Sequence, residues 1–442
     1  MQIEFINHAS VKFYTNDAII LTDPWYEGYA FDSGWDLIYT SKEMETRALE
    51  DVTHIWISHE HPDHFVPAFF KNLSESIKSK IEILFQETKD QRVAKFLQAQ
   101  NFRVREIKPG KIHNIGKTEI QIYPSKFYDS YLWIKDEENS ILNINDCPIR
   151  DKKSLLKIHK KLGDIDVLLS QFSYAAWKGG RNNRNFRIRA AKEKLDTFAL
   201  QANTLKAKFV IPFASFVRFC HEENSYLNDS INTIDTVIER EDDYQAKLVV
   251  MKPFQKWIIG EMIENGTSAD FWRTQYGLAK SRKLVKSGLS LSLRDLYKSF
   301  LSYQKRLFKQ NNLLFMKFLR YNPFLRGLEP VKILISDLSV VIEISIIDGF
   351  KIVRDRKEAE VEINTSVLDF VFKNDFGFDT MTVNGRFEAT HNGFSKMTKS
   401  FSLGSLNALG LSLNLDIIKR LDVIMLLLDS LKTVEQKLKK TR

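Results

Sequence analysis

Positions 59 to 64 read His-Glu-His-Pro-Asp-His, directly after the apolar run Ile55-Trp56-Ile57, and no other stretch restricts the fold and chemistry of the chain so tightly. Four of the nine histidines lie between His54 and His64. A strand that ends in a tight loop aims alternate side chains the same way, so His59 and His61 face one point while Asp63 and His64 turn toward a second. One segment then supplies ligands for two cations. Imidazole nitrogen and carboxylate oxygen suit zinc, iron and manganese, whereas calcium and magnesium want an almost all-oxygen shell. The plain alternative is a polar surface loop. Three imidazoles and two carboxyls in six positions weigh for the metal reading.

A chain of 442 residues exceeds one ordinary core and predicts two or three domains. Its 43% hydrophobic and 27% charged residues are ordinary globular usage. Cys147 and Cys220 are too few for a disulfide framework, and Met1-Gln2-Ile3-Glu4-Phe5 reads as a strand and not as a signal peptide, so a reducing cytoplasm is expected. No apolar run approaches the length of a membrane span. The net charge of +9 raises the question of a nucleic-acid partner. Basic residues gather at Arg181 to Lys194, at Lys280 to Lys286 and at Lys437 to Arg442. No recognised binding motif accompanies them, so nucleic acid is not expected as a partner.

Up to about Gly260, short β-rich runs alternate with helical stretches such as Thr88 to Gln98, Ser154 to Lys161 and Arg187 to Leu205, the rhythm of an α/β layered domain. The strands expected are Ile3 to Ile6, Val11 to Tyr14, Ala18 to Leu21, His54 to Ile57, Ile81 to Phe85, Ile120 to Tyr123, Leu132 to Ile134, Ile141 to Ile144, Val167 to Ser170, Phe209 to Pro212 and Leu248 to Met251. Asp295 to Leu319 then shows one continuous helical pattern, stopped by Tyr321-Asn322-Pro323. A smaller α+β module follows, with a strand expected at Met381 to Glu388 and a helical stretch from about Ser405 to Lys440. The division predicted is a metal domain over 1–262, a helical linker or arm over 263–328, and a small α+β domain over 329–442. The apolar helices also suit a homo-oligomer contact.

A dinuclear centre needs ligands from later strand ends, and three residues qualify. Asp146 follows the strand Ile141 to Ile144, where a carboxylate bridges two cations; His221, in the loop after Phe209 to Phe213, offers nitrogen to the second metal; Asp129, before Leu132 to Ile134, sits where the first metal takes a further ligand. Taken singly, each is more commonly a turn, cap or surface residue. Their order after residues 59 to 64 shifts the balance.

The signature His59, His61, Asp63 and His64 resembles that of the metallo-β-lactamase superfamily, and Asn7-His8-Ala9-Ser10 with Leu21-Thr22-Asp23-Pro24 is similar to the opening of its lactonase and phospholipase-like members. The resemblance spans about the first 260 residues. It implies an αββα metallo-β-lactamase sandwich with two transition-metal ions at one edge. Asp129-Ser130, Leu142-Asn143 with Asp146-Cys147, and Pro212-Phe213-Ala214 leading to His221 resemble most the non-Rieske half of the CMP-N-acetylneuraminate hydroxylase family. The C-terminal module resembles a sterol-carrier-like fold.

Many hydrolases of this superfamily place a histidine where this chain offers Asp129. The extra carboxylate hardens the coordination sphere and favours iron or manganese over zinc, and the diiron members of the resembled superfamily turn the preference to iron. One reading is therefore a diiron oxygen-activating hydroxylase or monooxygenase on a polar or anionic, sugar-nucleotide-like small molecule. Its electrons come from a separate donor, since the two cysteines lack the paired spacing with histidines that a Rieske centre needs. The other reading is a zinc- or manganese-dependent hydrolase of an ester, lactone or phosphodiester, with Asp63 orienting the nucleophile. His8 is a candidate for catalysis or for orienting a ligand, and Asp23 for orienting a ligand histidine. Tyr174, Trp177, Arg181 and Arg218 are candidates for substrate binding, with core packing and solvated charge as the competing explanations.

Overall fold

A computed structural model describes residues 1–125, 129–323 and 327–414. The chain divides into two compact units: the first comprises Met1–Ala175, Asn185–Cys220 and Leu227–Leu284, and the second Ala176–Arg184, His221–Tyr226 and the chain from Val285 onward.

Two seven-stranded sheets build the first unit. One runs in the order Lys256–Ile258, Gln2–Asn7, Ser10–Tyr14, Ile19–Thr22, His54–Trp56, Glu82–Gln86, Arg103–Ile107; the other runs Lys247–Leu248, Phe209–Phe213, Val167–Gln171, Ser140–Asn145, Ser130–Lys135, Thr118–Pro124, His113–Ile115. In each, antiparallel pairing gives way to parallel pairing midway. The period of two sorts the faces. Phe5, Ile20 and Trp56 turn into a core shared with Ile122, Leu132 and Ile134 of the second sheet, while their neighbours Ile6, Leu21, Ile55 and Ile57 pack on the other side against Met44, Phe70, Val93 and Leu97. Helices Lys152–Leu162 and Arg184–Thr204 send Leu155, Ile158, Leu195 and Phe198 into the same core as the second sheet. The layers are those of an α/β sandwich.

The basic run from Arg181 to Lys194 is partly consumed by the fold. Arg187 is 1% exposed and donates from Nε and Nη2 to both carboxylate oxygens of Asp229, at 2.8 and 2.7 Å. Breaking a buried pair costs about 3–5 kcal/mol because the remaining charge stays buried. Asp229 is itself partly exposed, so Asp229→Ala should lower the unfolding free energy by about 3 kcal/mol in urea titration. A loss below about 1 kcal/mol would mean that water or other groups satisfy the guanidinium without the carboxylate.

The second unit holds a five-stranded sheet, ordered Gly349–Val353, Val340–Ser345, Val331–Ile335, Val361–Ile363, Phe387–Ala389. Its core joins Ile333, Ile342 and Ile344 to Leu296, Phe300, Tyr303 and Leu307 of the helix Leu293–Gln310. Three expectations change here. The stretch 263–328 is not a separate arm: helix Asn265–Ser281 buries Trp272 in the first unit's core, and Leu293–Gln310 is a wall of the second. The helix expected over Asp295 to Leu319 is two, because Asn312 caps a new helix, Leu313–Tyr321, by accepting from the Phe315 N–H. Met381 to Asn384 is helical and not strand; the helix Gly377–Asn384 ends at Gly385, whose φ of +67° terminates it. The last described helix is His391–Ala408, and the expected helical stretch beyond residue 414 lies outside the described residues. Among the described residues no helix is long and apolar enough to cross a membrane.

Candidate metal centre

Strand direction brings the chemistry to one edge. His8, Asp23 and the loop 57–64 follow the ends of Gln2–Asn7, Ile19–Thr22 and His54–Trp56, which run the same way; Asp146 follows Ser140–Asn145, and Asp129 precedes the antiparallel Ser130–Lys135. The Ser130 hydroxyl donates to the Ser58 carbonyl at 2.6 Å and ties the two sheets together there. Register shifts precede both His8 and Asp146, between Phe5 and Asn7 and between Asn143 and Asn145. Such bulges re-aim the residues that follow. His8, Asp23 and Asn145 hold φ of +33°, +35° and +58°, a region costly to non-glycine residues that persists where the surroundings impose it.

Asp23 organises the loop. Its Oδ1 accepts the Ser58 N–H at 2.8 Å, and its Oδ2 accepts the Ser58 hydroxyl at 2.7 Å and the Asn145 amide at 2.6 Å. The same Oδ2 is 2.9 Å from His64 Nδ1. Ser58 Oγ is also 2.9 Å from His59 Nδ1. Both rings are thereby held at Nδ1 and turn Nε2 inward, the arrangement by which outer partners orient ligating histidines.

Three groups of donor atoms lie within 4.8 Å of one another among the described residues: His59, His61 and Asp129; His59, His64 and Asp146; and His8, Asp63 and His64. His64 Nε2 is 3.2 Å from Asp63 Oδ2 and 3.6 Å from Asp146 Oδ2, yet it makes no hydrogen bond. His59 Nε2 is 3.8 Å from Asp129 Oδ1 and 3.9 Å from Asp146 Oδ2, and is hydrogen-bonded to His61 Nδ1 at 2.7 Å. Asp63 Oδ1, Asp129 Oδ1 and Asp146 Oδ1 are likewise buried without partners. Buried and without a partner, His64 Nε2 and these three carboxylate oxygens cost free energy unless a further group satisfies them. A cation does so, and this donor set of imidazole and carboxylate fits a transition metal.

The metal-free electrostatics agree. Burial holds His59 well below the usual imidazole value, helped by the neighbouring His64. Burial works against the charged forms of Asp63 and His64 as well, but their mutual attraction outweighs it, lowering the one and raising the other. Burial, and then the Asp146 carboxylate, push Asp129 up to about 9. Asp129 is therefore protonated at pH 7 in the metal-free protein, and it ligates only after losing that proton. Loading at pH 7 should release a proton from Asp129 and another from His64, whose raised value keeps it charged until it ligates, and affinity should rise as pH climbs toward 9. Calorimetric titration with Mn(II) in two buffers of different ionisation enthalpy checks this; equal heats in both would contradict it.

His221 is not in any of the three groups. It belongs to the second unit, where its Nδ1 lies 3.2 Å from Glu223 Oε2 and accepts the Glu223 N–H at 3.2 Å. The substrate candidates also have partners within their own units. In the first, Arg218 binds Asp36 Oδ2 at 3.2 Å and the Ala279 carbonyl at 3.1 Å, and the Tyr174 hydroxyl donates to the Leu227 carbonyl. In the second, Trp177 stacks on Phe387 and Phe394, and the Arg181 N–H donates to Glu388. Sequence reasoning missed Phe31 and Trp25, whose rings stand 5.8 Å from His61 and 5.6 Å from His8. Nothing in their spacing marks them.

Residues 2–170 match the family model described as the beta-lactamase superfamily domain. All seven residues of the three groups fall inside that match; His221 does not. The chain is 25% identical over 246 residues to a protein of Mycolicibacterium smegmatis with the provisional name Rieske 2Fe-2S iron-sulfur protein, covering 52% of this chain and 46% of that one. It is 22% identical over 247 residues to the cytidine monophosphate-N-acetylneuraminic acid hydroxylase of Danio rerio, covering 52% and 40%. Among solved structures, CmlA, a diiron beta-hydroxylase from Streptomyces venezuelae, aligns over 58% of this chain and 53% of its own at 14% identity, with a TM-score of 0.42. The chain spans about half the length of the curated relatives it matches.

Proposed function

We propose, from the premise that residues 2–170 are a beta-lactamase superfamily domain, that this chain is a dinuclear-metal enzyme, a diiron hydroxylase or monooxygenase acting on a polar or anionic, sugar-nucleotide-like substrate. One observation carries the choice of iron: the buried carboxyl of Asp129 stands 3.8 Å from His59 Nε2, so the set around His59 and His61 gains a hard oxygen donor. The hydroxylase names of the relatives support the reaction class. The substrate class rests on those names and not on Tyr174, Trp177, Arg181 or Arg218.

On this reading His59, His61 and Asp129 would hold one cation and Asp63 and His64 the other, with Asp146 within reach of both sets. Iron held there would supply dioxygen activation, with electrons from a separate donor. Asp23 and Ser58 keep the two Nε2 atoms directed inward, and the aromatic rings of Phe31 and Trp25 exclude water beside His61 and His8. Cys147 and Cys220 are buried free thiols, and neither stands in the paired Cys-and-His spacing of a Rieske cluster. The second unit, read as sterol-carrier-like, is assigned no part in the chemistry.

A zinc or manganese hydrolase is favoured by one observation only. Asp63 stays ionised through its contact with His64, and its Oδ1 has no partner, which suits a carboxylate that orients a nucleophilic water. Elemental analysis and the visible spectrum of aerobically purified protein separate the readings. Two irons per chain with visible absorption are expected; a colourless protein filled with zinc sinks the hydroxylase assignment.

A further inference from the structure

We infer that Asn145 is a positioning residue of the metal centre, which aims Asp146 through its backbone and holds His64 in its ligating orientation through its side-chain amide. This rests on the dinuclear reading above and deepens it. Asn145 Nδ2 donates to Asp23 Oδ2 at 2.6 Å and to Ser58 Oγ at 3.2 Å, and the Ser58 hydroxyl donates to the same Asp23 oxygen at 2.7 Å. His64 Nδ1 reaches that oxygen at 2.9 Å and stands 3.3 Å from the Asn145 amide nitrogen beside it. A proton kept on Nδ1 by this carboxylate leaves the Nε2 lone pair for a cation. Asp23 and Ser58 follow strands of one sheet, whereas Asn145 ends a strand of the other. Its amide therefore lets the second sheet hold the carboxylate that holds the histidine.

The backbone of the same residue turns the chain toward Asp146. The register shifts between Asn143 and Asn145, the Asn145 N–H donates to Asn143 Oδ1 at 3.0 Å, and Asn145 holds φ at +58°. The Cys147 N–H then donates to the Ile144 carbonyl at 3.2 Å and closes the turn that carries Asp146. Few residue types can do both. Asparagine is among the few besides glycine that enter the left-handed region routinely, and unlike ionised aspartate it offers a carboxylate a donor. Glycine would keep the turn and lose the donor. Asn145 Oδ1 is buried without a partner, a cost that a residue retained for packing alone would avoid.

The test is a Co(II) titration of the full chain after chelator stripping, read by bound stoichiometry and the visible spectrum, with urea unfolding of the metal-free chain alongside. Asn145→Gly is the informative variant, because glycine accepts φ of +58° without strain and removes only the amide. Wild type should bind two equivalents. Asn145→Gly should bind the ion at His64 about 10-fold to 100-fold more weakly, and its saturated spectrum should differ from wild type because the His64 ring is free to tilt. Asn145→Ala should lose more, since it strains the turn as well; a loss no greater than that of Asn145→Gly overturns the backbone part. Wild-type affinities and spectrum in Asn145→Gly overturn the inference. So does weaker binding with an unchanged saturated spectrum and a matching fall in the urea midpoint, the behaviour of an asparagine that only supports the fold. Fewer than two equivalents in wild type removes the dinuclear reading, while the spectrum of Asn145→Gly still decides whether Asn145 positions His64.

Discussion

Asp146→Ala should leave a folded chain that retains neither cation. Asp146 Oδ2 lies 3.9 Å from His59 Nε2 and 3.6 Å from His64 Nε2, so on the proposed reading one oxygen would serve a ligand set on either side. Two divalent ions at the spacing of two-metal sites repel by roughly 20 kcal/mol at an effective dielectric constant of 20, and a carboxylate between them attracts each by a comparable amount. Without it the second ion is expelled, and the first keeps a weakened set of His59, His61 and Asp129. Affinity for both should fall by more than about 100-fold. Bound metal after gel filtration measures this, with circular dichroism as the check on folding. Two ions retained would falsify the bridging role.

Asp129→His should turn the protein from iron toward zinc. The substitution replaces a hard anionic oxygen beside His59 with a third neutral nitrogen. It also removes the carboxyl that burial and Asp146 push up to about 9, so loading should no longer release a proton at this site. The iron-to-zinc ratio after growth in medium holding both should fall roughly tenfold or more, about 1.4 kcal/mol in relative binding free energy. An unchanged ratio removes the argument for iron and leaves the fold untouched.

Where the sequence spoke clearly, the physics was local. His59, His61, Asp63 and His64 sit on one short loop, and the period-two sorting of Ile55, Trp56 and Ile57 is a property of that strand alone. Asp129 and Asp146 were readable from their place at strand ends, because strand direction then put them on one edge. The aim of the His8 ring was not readable, because it depends on a bulge between Phe5 and Asn7 that leaves no pattern in composition or periodicity. The helix break at Asn311-Asn312 was legible in principle, since asparagine is a favoured cap, but the apolar stripe running through it hid the signal. Met381 to Asn384 misled because a short apolar run before a glycine reads equally as strand or helix end.

The path of the chain between its two units limits how the protein can be divided. Segments 176–184 and 221–226 interrupt the first unit but belong to the second. A protease nick or stop codon after Leu284 would therefore release no intact half. It would strip Trp177 of Phe387 and Phe394, the rings on which it stacks at 5.0 and 4.6 Å, and leave a large indole bare to solvent. Fragments ending there should aggregate, so the two units must be made and kept as one polypeptide.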